Sequence, residues 1–197
     1  MINKSHILIC KFIHVKSRIL DLGCGDGSLL SYIKTQKNII GYGVEKDSEN
    51  IKQCLKRGHC VYHGDIESCL QDFRNKSYDT VILSETLQEI QNPSLVIQEM
   101  NRIANKVIII IPNFAYWKAR LQLLFGTTPK TKMLPYSWHN TPNIRAITIK
   151  EFKQFCDNNN FNIQDEIHIY RFKIFQKILP LFIGNLFCPK ALFVISS

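Results

Sequence analysis

The chain has 197 residues, 45% of them hydrophobic, and a formal net charge of +9. That length supports one domain with a sizeable core and leaves too little for two ordinary ones. The apolar share excludes a disordered chain. The positive charge raises a nucleic-acid partner as a question, but the Lys residues are scattered along the chain with no basic run and no basic-aromatic stripe. They read as solvated positions, and nucleic acid is not expected. The seven cysteines are odd in number and contain no Cys-x-x-Cys pair, so no zinc site is predicted and reduced thiols in a cytoplasmic protein fit best. No signal peptide is expected, because Lys11 breaks the run Ile7-Leu8-Ile9-Cys10 and no small-residue cleavage site follows. The stretch Ile178 to Ile195 is interrupted by Pro180, Gly184, Asn185, Pro189 and Lys190. A spanning helix needs about 20 predominantly apolar residues, so this stretch reads as a loop or short helix followed by a buried strand.

In chain order, an opening helix is predicted over roughly Ser5 to Ile13. Short apolar runs follow at Arg18–Leu22, Ile39–Val44, around Val61-Tyr62, at Thr80–Leu83 and at Val107–Ile111. Near-continuous β-branched runs suit parallel strands covered on both faces. Between them lie helical spacings: Leu29, Leu30 and Ile33; Ile51, Cys54 and Leu55; Leu95, Val96 and Met100. Each set is expected to pack one helix face on the sheet. Alternation of this kind predicts a doubly wound α/β domain. After the fifth strand, residues 113–147 are rich in aromatic and polar residues and prolines, an insertion long enough to be a lid or docking surface. The alternative is that its two tryptophans, Trp117 and Trp138, simply fill the core. A helix from about Lys150 to Asn158 follows, with Phe152, Phe155 and Cys156 on one face, and then strands over Phe161–Tyr170 and Ala191–Ile195.

The strongest local signal is Asp21-Leu22-Gly23-Cys24-Gly25-Asp26-Gly27, which follows a strand and opens a helix. Glycines there permit a tight turn and a close ligand approach, and the helix start at Ser28 is expected to present free N–H groups. A dinucleotide fingerprint requires glycine at position 28, and the chain has Ser28. The spacing Gly-x-Gly-x-Gly with Asp21 two residues ahead instead resembles motif I of class I methyltransferases. Their ligand, S-adenosylmethionine, carries an amino-acid moiety whose ammonium an acid near the turn can meet. Glu45 ends the second strand about 20 residues on, where an acid reaches ribose hydroxyls. Asp65 follows the third strand, where the family's acid meets the adenine amino group. Either acid alone is equally readable as a helix cap or a solvated loop acid.

Methyl transfer needs alignment of donor and acceptor more than a dedicated side chain. A base is needed only if the acceptor must lose a proton. Glu85, Tyr136 and His139 are candidates for that role, each with a structural alternative. The segment Leu83-Ser84-Glu85-Thr86-Leu87-Gln88 lacks an Asn-Pro-Pro-Tyr loop, which disfavours methylation of adenine or glutamine amines.

Most of the chain resembles the MetW family of methionine biosynthesis proteins. The matching residues are Ile19 to Leu30, Gly41-Tyr42-Gly43-Val44-Glu45, Val81-Ile82-Leu83-Ser84, Thr86-Leu87-Gln88, Asn92-Pro93, Pro112-Asn113-Phe114, Trp117, Arg120-Leu121, Leu134-Pro135-Tyr136, Trp138 and Thr141-Pro142-Asn143-Ile144. The Pro-Asn-Phe and Thr-Pro-Asn-Ile segments are the specific ones. Departures fall at Glu85, His139-Asn140 and Arg145.

The resemblance implies a single domain over 1–197: a mostly parallel seven-stranded sheet of the class I methyltransferase type with an insertion after strand 5. It implies S-adenosylmethionine at Asp21, Gly23, Cys24, Gly25, Gly27, Glu45, Asp65, Ile66 and Ser84. It also implies a homoserine O-acyltransferase partner; no membrane association is expected from the interrupted C-terminal stretch. Two readings share every motif: an S-adenosylmethionine-binding subunit working with that partner, and a catalytically active small-molecule methyltransferase independent of it.

Overall fold

The structure is a computed structural model, described here over residues 3–131, 134–170 and 184–196. The elements run α1 (Lys4–Phe12), β1 (Arg18–Leu22), α2 (Ser28–Lys37), β2 (Ile40–Glu45), α3 (Ser48–Lys56), β3 (Cys60–His63), α4 (Ile66–Cys69), β4 (Tyr78–Ser84), α5 (Pro93–Ile103), β5 (Ala104–Pro112), α6 (Trp117–Leu124), α7 (Ile149–Asn158), β6 (Asn162–Ile169), α8 (Gly184–Phe187) and β7 (Lys190–Ser196).

Among the described residues these strands form one sheet in the order β3-β2-β1-β4-β5-β7-β6. All pairings are parallel except those of β7, which runs antiparallel to both β5 and β6. The chain winds outward from β1 to β3, then returns to place β4 on the other side of β1. That reversal is the switch point at which open α/β sheets bind ligands.

Alternate residues of the central strands feed two cores. Leu20, Leu22, Val81, Leu83, Val107, Ile109 and Ile111 pack with α5 and α7 on one face. Ile19, Ile82, Ile108 and Ile110 pack with α1 and α2 on the other. This double burial is why β5 reads as an unbroken isoleucine run. The edge strand β3 is mostly exposed, and its apolar signal is correspondingly weak.

Two helix faces differ from the expected ones. In α3 only Cys54 is buried, and Leu55 is 54% exposed. In α5 the buried set is Val96, Ile97, Met100 and Ile103, leaving Leu95 at 47% exposure. In each case the true stripe lies a fraction of a turn from the one read, because adjacent apolar residues leave its phase open. The stretch after Ile178 resolves, within the described residues, into the short helix α8 and the buried strand β7; residues 178–183 lie outside the description. No helix among the described residues is long and apolar enough to cross a membrane.

Candidate ligand site at the carboxyl ends of the strands

The glycine turn sits directly after β1 at the switch point. Gly23, Gly25 and Gly27 all adopt left-handed backbone, at φ +70°, +55° and +75°. Two of them differ in what they make room for. A Cβ on Gly27 would lie 2.6 Å from Cys54 Sγ, so that glycine is needed for α3 to close against the turn. A Cβ on Gly25 would meet nothing within 4 Å. The backbone there faces open space, which is the property a ligand cradle requires.

Asp21, the penultimate residue of β1, is 2% exposed, and no hydrogen bond to its carboxylate is found among the described residues. Burial, reinforced by the neighbouring Glu45 carboxylate, pushes its pKa up to about 8. A buried carboxyl without a partner is a costly arrangement unless a cation or donor arrives to complete it.

Glu45 closes the turn. Its Oε2 accepts the Gly25 N–H at 2.8 Å, and its Oε1 accepts the N–H groups of Lys46 and Asp47, both at 2.9 Å. A carboxylate offers about four acceptor positions, so one remains, on Oε2 beside Gly25. Asp65 is exposed and N-caps α4, with Oδ1 accepting the Glu67 N–H at 2.9 Å. It therefore serves as a cap, and its second oxygen has no protein partner among the described residues. Ile66 beside it is buried and Ser84 half-buried at the end of β4.

Two expectations change in detail. The Ser28 N–H is not free: Asp26 Oδ1 accepts it at 3.0 Å. Cys24 turns its thiol inward, 3.9 Å from Cys54 Sγ, and donates its N–H to Val44 O at 3.0 Å. Burial, then the nearby Asp21 carboxylate, pushes that thiol far up in pKa. Cys24 thus braces the turn from inside.

On the acceptor side the three base candidates separate. Glu85, in left-handed backbone at φ +60°, forms a 2.6 Å ion pair with Lys190, whose side chain is 11% exposed. Half-buried His6 on α1 feels the same Lys190 charge; burial first, then that charge, lowers its pKa. Tyr136 and His139 stand on the exposed surface of the insertion. Lys190 carries no local sequence signal, since its partner lies 105 positions away.

The insertion is stapled at both ends. The Phe114 N–H donates to Ile147 O, and the buried Asn113 amide donates to Asn185 O and Cys188 O. Arg145 donates to the carbonyls of Ile90 and Gln91, tying the insertion to the turn after β4. Trp117 is 38% exposed and Trp138 76% exposed, so the core-filling alternative for the tryptophans fails.

Strand order and switch-point turn together define a domain of the class I methyltransferase fold. A putative S-adenosylmethionine dependent methyltransferase from Listeria monocytogenes shares the fold at TM-score 0.68 and 14% identity, over 98% of this chain and 96% of that one. One from Archaeoglobus fulgidus does so at TM-score 0.67 and 14% identity, over 98% and 94%. Within this class the chain belongs to the methionine biosynthesis protein MetW family, whose model matches residues 3–195. The bifunctional methionine biosynthesis protein MetXA/MetW of Rhodopirellula baltica is 35% identical over 169 residues, covering 81% of this chain and 27% of that protein. A probable (S)-tetrahydroprotoberberine N-methyltransferase 2 from Papaver bracteatum is 26% identical over 104 residues, covering 49% and 29%. The chain spans less than a third of the length of these two curated relatives.

Proposed function

We propose that this protein is an S-adenosylmethionine-binding subunit of methionine biosynthesis that works with a homoserine O-acyltransferase. The observation that carries the ligand is the open cradle at Gly25 with the buried, unpartnered Asp21 beneath the same turn. Asp21 supplies the negative charge for the ligand's ammonium. The free acceptor position of Glu45 suits a ribose hydroxyl, and the second oxygen of Asp65 suits the adenine amino group; Ile66, buried next to Asp65, and Ser84, half-buried at the end of β4, are the further candidates to hold the ligand. When bound, the ligand supplies an activated methyl group on a sulfonium.

The partner reading is supported by the Rhodopirellula baltica relative, which carries MetXA and MetW in one chain by its name. The subunit reading is preferred over an independent methyltransferase that must deprotonate its acceptor, because Glu85 is already committed to Lys190, while Tyr136 and His139 lie out on the insertion. Isothermal titration with S-adenosylmethionine tests the ligand, with NAD as the control. Saturable binding of the former and none of the latter is expected; the reverse overturns the assignment. Assay of the acyltransferase with and without this chain tests the role. Unchanged acyltransferase kinetics, together with methyl transfer to a small molecule by the chain alone, would establish the independent enzyme instead.

A further inference from the structure

Helix α6 has its apolar stripe on the wrong side for a core. Trp117, Leu121, Leu124 and Phe125 fall at i, i+4, i+7 and i+8, one face of a helix. All four are exposed, at 38%, 44%, 79% and 74%, and Ala119 is the only buried residue of the helix. The same insertion holds a groove of about 230 Å³ whose lining includes Phe114, Leu134, Tyr136, Trp138 and Ile144. Gln122 on α6 exchanges hydrogen bonds with the backbone of Lys130, which ties the helix to the segment that shapes the groove. An exposed ridge beside a groove, both apolar, marks an interaction surface.

Its charge limits what covers it. Residues 113–150 contain no Asp or Glu but hold Lys118, Arg120, Lys130, Lys132, Arg145 and Lys150. Of these, Arg145 is spent on backbone carbonyls within the domain. A second copy of this chain docking by two-fold symmetry would set the patch against itself and oppose like charges. A lipid surface would leave the groove unfilled. The patch suits a protein that inserts an apolar side chain and surrounds it with carboxylates.

We infer that the α6 ridge and the groove beside Trp138 are the face on which the acyltransferase partner docks, through an apolar knob rimmed by acidic residues. This rests on the partner reading above and adds the surface to it. Aromatic anchors at the centre of such a face carry most of the binding, and basic rim residues set its salt dependence.

The test pairs the full chain with the homoserine O-acyltransferase of the same genome, both purified, by sedimentation velocity and titration. Leu124→Glu and Trp138→Ala alter well-exposed side chains, so thermal unfolding should match the parent. Complex formation that weakens as salt rises is expected. Trp138→Ala should weaken it about 30-fold or more, Leu124→Glu should abolish it, and both variants should retain parental S-adenosylmethionine affinity. If the parent forms the complex and both variants do so equally well, the surface is wrong and the partner reading stands. If the parent forms no complex at tens of micromolar, both fall. Parental self-association, or binding to phosphatidylserine vesicles, that either variant abolishes would overturn the assignment in favour of a second copy or a membrane.

Discussion

Gly25 and Glu45 are joined across the site: the turn's N–H lies 2.8 Å from Oε2 of an acid at the end of the neighbouring strand. Glu45 therefore shapes the cradle as well as facing it. Removing the carboxylate leaves three N–H groups, those of Gly25, Lys46 and Asp47, without their acceptor. Gly25 is half-buried while Lys46 and Asp47 are exposed, so water can replace part of the loss and the cost falls short of the about 1–3 kcal/mol of a fully buried orphan donor. Glu45→Ala is expected to lower thermal stability as well as ligand affinity, whereas Glu45→Gln, which keeps one oxygen, should fold near normally and bind S-adenosylmethionine roughly tenfold or more weakly. Titration and thermal unfolding on both variants check this. Parental affinity in Glu45→Gln would remove the residue from the ligand.

Asp21 gives the site a pH signature. Its folded-state pKa of about 8 stands well above the ordinary carboxylate value of 3.8. The native state thus holds a proton that the unfolded chain releases. Its contribution to stability is full below pH about 4 and falls as pH rises through about 8. A cationic ligand group beside the carboxylate reverses the preference, so binding at pH 7 should release close to one proton from Asp21. Titration in buffers of different ionisation enthalpy measures that release. Asp21→Asn should abolish this share of it, weaken ligand binding, and raise the melting temperature at pH 8 by about 2–4 °C for each kcal/mol recovered. Identical proton release in Asp21→Asn would show that the carboxyl does not titrate on binding.

Gly25 and Gly27 separate cradle from packing. At Gly25 an added Cβ meets no neighbour within 4 Å, but a valine must adopt φ +55°, a strain of about 1–2 kcal/mol. Gly25→Val should fold and lose the ligand. At Gly27 the same change drives a methyl group into Cys54, so Gly27→Val should lose the fold. Circular dichroism and titration distinguish the two; a folded Gly25→Val that binds normally would take the turn out of the site.

The sheet was legible because its central strands are buried on both faces, and β-branched runs such as Val107 to Ile111 have little other use. The turn was legible because three glycines at two-residue spacing follow a strand. The helix faces were less so, since Leu95 and Ile97 compete for one stripe and only the neighbouring sheet decides between them. Helix α6 was missed because its apolar residues point outward, so no amphipathic match to the domain existed to be read. Glu45's grip on the turn and the pairing of Glu85 with Lys190 join backbone and side chains far apart in sequence, and no local spacing announces such contacts.

That last pair makes a final prediction. Lys190 opens β7 and reaches Glu85 at the end of β4, with the side chains 11% and 32% exposed. Removing one partner strands the other charge, and a partly exposed stranded carboxylate costs about 1–3 kcal/mol. Lys190→Met should lower the urea midpoint accordingly. Glu85→Gly removes the carboxylate and also relaxes a left-handed backbone position at φ +60°, a gain that offsets part of the lost pairing. The double variant should therefore be more stable than the sum of the two single changes predicts, by about 1 kcal/mol or more. Urea unfolding of all four proteins completes the cycle. A coupling of zero would mean that the charges do not sense each other in solution, and it would return Glu85 to the acceptor face as an unencumbered carboxylate.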